Sequence, residues 1–345
     1  MNREKIISLL SLRDQGEINK LFHEACLVRD KCLGGKVYFR GLIEISNICG
    51  KNCYYCGIRR DNAAVNRYAM SSGEIVDAAS WAYINGYGSV VLQSGEMVSE
   101  ESASFIETLI TEIMRKTDGK LGITLSLGEQ PVETYLRWKA AGASRYLLRI
   151  ETSSPELYAK LHPPDHSFER RIQCLENLKA AGYQLGTGVM IGLPFQTIEN
   201  LADDLLFFEK MDVDMLGMGP YIVHEQTPLA GSQVSAEMNF DLSLLMIAVA
   251  RIMLKDVNIA ATTALQAINP RGRELGLEAG ANVIMPNLTP VKYRADYKLY
   301  EGKPCLDEDA ARCKGCLERR IRETGMEIGY FEKGDPVHFE KRKRA

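Results

Sequence analysis

The 345-residue chain has almost no charge imbalance: 42 basic and 45 acidic side chains leave a formal net charge of −3. Nothing in that balance draws it to nucleic acid by overall charge. It also lacks any apolar run near the ~18–20 residues that span a membrane. The longest, Leu244 to Ala250, is bounded by Ser243 and Arg251 and reads as a buried helix. The opening Met1-Asn2-Arg3-Glu4-Lys5 has none of the apolar core of a signal peptide. The expectation is therefore a cytoplasmic protein with no nucleic-acid or membrane partner. Low-complexity segments are missing too. With 46% apolar side chains, 29 Gly and 12 Pro, disorder and collagen-like repeats are excluded. The one basic run, Lys341 to Arg344, reads as a solvated tail.

Cysteine, by contrast, is plentiful. Disulfides do not persist in the cytosol, so nine cysteines need another reason. Six fall in two tight triplets, Cys49, Cys53, Cys56 and Cys305, Cys313, Cys316, a pattern of metal or cluster ligation. Cys26, Cys32 and Cys174 lie in helical patterns and read as buried small hydrophobes.

Read for period, the chain repeats one unit: a short β-rich run, a loop, then an amphipathic helix. Strands are expected at 37–46, 88–94, 122–127, 145–151, 184–191, 215–222, 259–265 and 282–286. Most are nearly continuous apolar runs, as in strands covered on both faces. Helices are expected at 72–87, 100–117, 131–141, 168–181, 198–211 and 241–255, several ending at a glycine such as Gly86, Gly142 or Gly182. Eight such units fit a complete (β/α)8 barrel, which uses about 250 residues, better than an open doubly wound sheet. The barrel is expected over 37–290, with N-terminal helices (1–36) packed on it and a cysteine-bearing C-terminal extension (291–345). In a barrel the chemistry sits where strands end and loops begin.

The first triplet, C-G-K-N-C-Y-Y-C at 49–56, lies in the loop after the first expected strand. Three thiolates on one loop can grip three irons of a [4Fe–4S] cube, leaving the fourth for a non-protein ligand. Structural zinc normally takes four protein ligands. No cysteine lies between Cys56 and Cys174, and the nearest histidine after Cys56 is His162.

With Tyr55 just before its last cysteine, this loop resembles that of the radical S-adenosylmethionine (SAM) superfamily. The resemblance implies that the free iron binds the amino and carboxylate groups of SAM. An electron from the cluster, itself reduced by an electron donor, then splits SAM into methionine and a 5′-deoxyadenosyl radical. It implies further roles at later strand ends. Ser94-Gly95-Glu96 is similar to the motif that meets the SAM amino group. Glu151 would accept from the ribose hydroxyls, and Arg171 would fork onto the SAM carboxylate. Ser126, Met190, Gly192 and Leu193 would complete the pocket, the glycine-rich run 186–194 letting the backbone approach adenine. Each residue also has a plain reading as a strand-end cap, a salt bridge or a packing turn.

Several stretches look specifically like the HydE-type maturases of [FeFe]-hydrogenase. They are C-Y-Y-C-G-I-R-R (53–60), V-L-Q-S-G-E (91–96), T-L-S-L-G-E (124–129), R-Y-L-L-R-I-E-T (145–152), G-L-P-F-Q-T (192–197), A-T-T-A (261–264) and G-A-N-V-I-M-P-N (280–287). This resemblance implies a full barrel around a closed cavity. The implied role is to process an organometallic iron precursor carrying CO, cyanide and cysteine toward the hydrogenase H-cluster, with other maturases as donor and scaffold. Two positions depart from the family pattern: Ile150 replaces a histidine, and Met97-Val98-Ser99 an acidic-proline stretch. Ile150 is expected to face away from the lumen.

The residues agree with an anionic substrate. Arg145 and Arg149, four apart in a strand, share a face, and buried guanidiniums need anions. Thr124, Thr262 and Thr263 would add hydroxyl donors, while Tyr297 and Tyr300 would close the cavity from below. The competing readings are ion pairs from the arginines to Glu96, Glu129 or Glu151, and simple packing of the tyrosines. The second triplet also resembles HydE-type chains, some of which carry an auxiliary cluster near the surface. That implies an auxiliary [2Fe–2S] or [4Fe–4S] cluster away from the chemistry. The alternative enzyme is a methylornithine synthase-like radical mutase acting on lysine. Biotin-synthase-like sulfur insertion would want a second cluster inside the barrel, and strands 122–127, 145–151, 184–191 and 215–222 contain no cysteine. A non-catalytic electron carrier would not need Ser94-Gly95-Glu96.

Overall fold

The eight apolar runs form parallel strands whose side chains are covered on both faces. The computed structural model describes residues 1–344; Ala345, the end of the expected extension, lies outside the described residues. The strands are β1 (Lys36–Ser46), β2 (Ser89–Ser94), β3 (Gly122–Ser126), β4 (Arg145–Leu147), β5 (Gln184–Thr187), β6 (Met215–Leu216), β7 (Asn258–Ile259) and β8 (Val283–Ile284). Consecutive strands pair in parallel around the ring, with β8 against β1 through Tyr38↔Val283. A parallel bridge, Ala260↔Val283, and the Asn282 N to Ile259 O bond of 2.9 Å join β7 to β8. The barrel is therefore closed as a (β/α)8 fold.

Intervening helices start where sequence chemistry says they should. Ser71 and Glu74 form a capping box ahead of Ser72–Ile84, and Thr197 with Asn200 does the same for Ile198–Met211. Gly86, Gly142 and Gly182 follow helix ends with φ of 85°, 124° and 78°. The helix Ala236–Leu254 is apolar nearly all round, with Leu244 to Ala250 all buried. That composition is stable because two N-terminal helices, Arg3–Leu10 and Gln15–Leu33, cover its outer side. No helix among the described residues is long and apolar enough to cross a membrane. Cys174 is buried as expected, whereas Cys26 and Cys32 are only half-buried.

Four expected strands are interrupted. The run 145–151 is strand only to Leu147, with a lone bridge at Glu151. The runs 184–191 and 215–222 each break, and their second halves, Met190–Ile191 and Gly219–Pro220, pair with each other above the ring. The run 259–265 is strand only to Ile259; Thr263–Ile268 is a helix. A short apolar run is compatible with either element, and here the turn comes at Thr262.

The C-terminal segment closes the end of the barrel at which the strands begin. Glu327–Ile328 pairs with the start of β1, and the chain then passes beneath the ring. It fits there because residue 88 is glycine: a Cβ at Gly88 would lie 1.7 Å from the Glu332 carbonyl oxygen. Arg145, fully buried, donates to Gln184 (2.7 Å), the Lys333 carbonyl (2.8 Å) and Asp335 (2.5 Å). Arg40 and Asn258 both donate to the Gly334 carbonyl. The basic run does not hang free. Lys341 pairs with Asp256 at 2.6 Å and Arg342 with the buried Asp214 at 2.7 Å, docking the helix Val337–Arg344 on the barrel.

Candidate active site

The cysteine loop leaves β1 at Asn47, whose side chain donates to the carbonyls of Asn66 and Asp296. Arg67 stiffens the loop from within, donating to the carbonyls of Asn47 (2.7 Å), Ile58 (2.9 Å) and Arg59 (2.7 Å). Local pattern gives no hint of this role. The loop also touches the end of β2. Glu96 N–H donates to Cys49 Sγ at 3.3 Å and Gly50 N–H to the Glu96 carbonyl at 2.7 Å. A Cβ on Gly95 would lie 2.3 Å from the Ile48 carbonyl oxygen, so only glycine permits this approach.

Burial pushes the Cys53 thiol up to about 12 and raises Cys49 and Cys56 as well. Burial keeps such thiols protonated, and a bound metal cation is one partner that would convert them to thiolates. The three thiols face a cavity of about 320 Å³ in the barrel mouth and lumen.

That cavity gathers most of the expected residues. Its wall includes Cys49, Cys53, Tyr55, Cys56, Ser94, Gly95, Glu96, Ser126, Glu151, Arg171 and Met190. Arg149, Thr262, Thr263, Tyr297 and Tyr300 line it too. Gly192 and Leu193 stand behind the wall. Gly192 packs so closely on Asn239 that a Cβ would lie 1.7 Å from its Oδ1, and Leu193 is buried against Tyr55 and Met190.

Glu129 organises the acidic–basic cluster beside the cysteines. Arg171 Nε donates to Glu129 Oε1 at 2.6 Å, and Lys51 Nζ to Oε2 at 3.0 Å. Despite burial, which would raise it, Arg171 and Lys51 hold the Glu129 carboxyl below its ordinary value. Glu96 is shifted the other way, by burial and then by the charge of Glu129. Burial also raises Glu151, against the pull of Arg149 and Arg171. Glu151 has a left-handed φ of 66°, and its carboxylate lies 3.1 Å from Arg149 Nη2. One of the expected ion pairs, Arg149 to Glu151, is thus present in the barrel.

Four expectations are corrected by the placement. Arg145 shares the inward face with Arg149 but lies at the barrel floor, paired with Asp335 and outside the cavity wall. Thr124 is buried with its hydroxyl unpartnered and is likewise not on that wall. Tyr297 and Tyr300 lie beyond β8, on the side of the cysteine loop, where Gly57 N–H donates to the Leu299 carbonyl at 3.1 Å. They wall the mouth, while residues 329–335 close the floor. The second triplet is not remote: Cys305 and Cys313 line the same cavity, and Cys313 is 2% exposed. Cys316, by contrast, is half-buried and lies off that wall. Ile150 does face away, buried in the outer core.

Sequence reading missed four charged residues of the wall: Lys51, placed above beside Glu129, and three others. Arg273, 3% exposed, donates Nη2 to Thr263 Oγ1 at 3.0 Å but leaves Nε and Nη1 unpartnered. Glu44 and Lys303 form a buried pair at 2.6 Å. A glutamate in the apolar strand F-R-G-L-I-E-I-S was the available signal for Glu44; nothing local marks the other two.

A sequence profile described as the radical SAM superfamily matches residues 43–208. The chain is 48% identical to the [FeFe] hydrogenase maturase subunit HydE of Thermotoga maritima, over 95% of this chain and 92% of that protein. It belongs to the HydE family. The radical SAM superfamily uses a [4Fe–4S] cluster and SAM, and three thiols from one loop on the cavity wall fit that pair. A methylornithine synthase crystal structure superposes with a TM-score of 0.80 at 25% identity, covering 99% of this chain and 96% of that one. The fold is shared with the maturase HydG of Carboxydothermus hydrogenoformans: TM-score 0.82, 21% identity, 98% of this chain and 78% of that one.

Proposed function

We propose that this chain cleaves SAM at a [4Fe–4S] cluster held by Cys49, Cys53 and Cys56, and acts on a small anionic iron–cysteine precursor in assembly of the [FeFe]-hydrogenase H-cluster. When bound, the cluster supplies the electron that breaks the SAM sulfonium bond. In this reading Glu96, on the cavity wall, accepts from the SAM amino group and Glu151 from the ribose hydroxyls. Arg171, held by Glu129 at Nε and by the Arg149 carbonyl at Nη1 (2.6 Å), meets the SAM carboxylate in this reading. The closed floor excludes water from the lumen, which protects a carbon radical.

The observation that carries the substrate class is the charge of the wall. Its side chains include five cations, Lys51, Arg149, Arg171, Arg273 and Lys303, against three carboxylates, Glu44, Glu96 and Glu151. Arg149, whose Nη2 is ion-paired with Glu151, leaves Nε without a partner, and Arg273 leaves Nε and Nη1. An anion gains charge-assisted hydrogen bonds from these groups. A lysine ammonium at ~4 Å would meet repulsion of about 4 kcal/mol at an effective dielectric of 20. That disfavours the methylornithine synthase reading, as does 25% identity to that structure against 48% to the maturase subunit. The partners that follow are an electron donor and the other hydrogenase maturases, in the cytoplasm, with neither nucleic acid nor membrane.

The three-part division at 36 and 290 is retained in this reading. Its C-terminal part supplies both the floor and the second triplet, for which an auxiliary [2Fe–2S] or [4Fe–4S] cluster is proposed. The test is anaerobic reconstitution with iron and sulfide, then dithionite and SAM. Release of 5′-deoxyadenosine and methionine, together with rescue of hydrogenase maturation in cells lacking the native maturase, is the expected result. Turnover of lysine to methylornithine would overturn it.

A further inference from the structure

His162 and His166 sit against the cysteine loop, in the segment joining the helices Pro155–Leu161 and Phe168–Ala180. Neither has a role in the reading above. Both rings are buried, 2% and 8% exposed, and main-chain atoms decide their tautomers. His162 Nδ1 lies 2.9 Å from the Tyr158 carbonyl, which only accepts. Its ring hydrogen is therefore on Nδ1, and Nε2 accepts from the Tyr55 hydroxyl at 3.2 Å. His166 is set the same way from the opposite nitrogen. The Asn52 amide N–H donates to Nε2 at 3.3 Å, so the ring hydrogen must sit on Nδ1. Nδ1 faces Cys53 Sγ at 3.9 Å.

We infer that His166 donates an N–H···S hydrogen bond to the Cys53 sulfur and thereby sets the reduction potential of the cluster that Cys53 ligates. Asn52 and Cys53 are adjacent, so one imidazole grips the backbone of the first and the sulfur of the second. The N–H cannot turn away without losing the Asn52 bond. Hydrogen bonds to ligand sulfurs are among the protein's means of tuning iron–sulfur potentials. A donor aimed at the thiolate offsets the charge gained on reduction and makes the cluster easier to reduce. His162 does not compete for Cys53, because its two nitrogens already serve Tyr158 and Tyr55. Cys53, His162 and His166 do bring three ligand atoms within 4.8 Å of one another. A single metal ion held by that trio would be a different use of the same residues, and the experiment separates the two. His166 is a positioning residue: it acts through Cys53.

This inference rests on the proposed cluster, and its readout is independent of substrate. The midpoint potential of the reconstituted cluster is measured by EPR-monitored redox titration in the wild type, His166→Leu and His166→Gln. The expected result is a more negative potential in His166→Leu at unchanged iron content, with partial recovery in His166→Gln, whose amide keeps a donor. Electron–nuclear double resonance of the reduced wild type should show a cluster-coupled proton that disappears in D2O and is missing in His166→Leu. If His166→Leu fails to hold its cluster, coupling of the reduced wild-type cluster to a 15N-labelled histidine ring decides the matter, because the Glu96 N–H on Cys49 also exchanges. Equal potentials in wild type and His166→Leu, or no exchangeable coupled proton, would overturn the inference. So would anaerobically purified protein carrying one zinc that His162→Ala releases. Wild-type protein that cannot be loaded with any [4Fe–4S] cluster would instead defeat the functional reading.

Discussion

Arg145 Nη2 and Asp335 Oδ1 meet 2.5 Å apart beneath the barrel, joining the start of its fourth strand to a segment 190 residues later in the chain. The guanidinium is fully buried, while the carboxylate is 34% exposed. Removing the carboxylate leaves a buried cation without its counter-ion, held only by the neutral Gln184 and Lys333 acceptors. Asp335→Ala is expected to destabilise the fold by about 3 kcal/mol, the low end for a broken buried pair because Asp335 is partly solvated. Chemical denaturation measures this. Although burial alone would raise it, Arg145 and the Gln184 hydrogen bond hold the Asp335 carboxyl below its ordinary value. Its stabilisation is therefore complete above the unfolded-state carboxylate pKa and is lost as pH falls through the lower folded value. Asp335→Asn should remove that part of the acid sensitivity, and an unchanged acid-unfolding profile would refute the assignment.

The first triplet is expected to be indispensable. A Cys49→Ala, Cys53→Ala, Cys56→Ala variant should release no 5′-deoxyadenosine from SAM under dithionite. Persistent release from that variant would contradict the cluster assignment.

Arg149→Met and Arg273→Met are each expected to abolish hydrogenase maturation while leaving SAM affinity within about threefold, since Glu96, Glu151 and Arg171 remain. A threefold change corresponds to roughly 0.65 kcal/mol, far below the loss of a charge-assisted bond to an anionic substrate. Isothermal titration with SAM and a maturation assay separate the two effects. Full maturation by both variants would mean that the anion sits elsewhere.

Replacing Cys305, Cys313 and Cys316 together should lower iron content yet spare SAM cleavage, because the first cysteine loop takes no hydrogen bond from them. Maturation, however, should fall, since Cys305 and Cys313 line the substrate cavity. Loss of SAM cleavage in a folded variant would give the second triplet a part in the radical step.

The order of strands and helices, the barrel and the first cysteine site were all legible in local pattern. Strand periodicity, caps and a C-x3-C-x2-C spacing are properties of neighbouring residues, and neighbours along the chain are what a sequence displays. The level of a side chain along the barrel axis is not of that kind. Arg145 and Arg149 share a face, as their spacing requires, yet four residues of strand separate them by ~13 Å. One reaches the floor and the other the cavity. Which level is solvent, substrate or plug depends on residues 329–335, which no local pattern assigns to the floor. The same holds for Arg273, Lys303 and the second triplet, brought to the cavity only by closure of the ring and the return of the C-terminal segment. His166 faces Cys53 because Asn52 fixes its tautomer, a contact between segments 114 residues apart. Local residue types determined which elements form and which loop carries the three thiols of the cavity wall. Long-range packing decided which charges are paired, and therefore which remain free to meet a ligand.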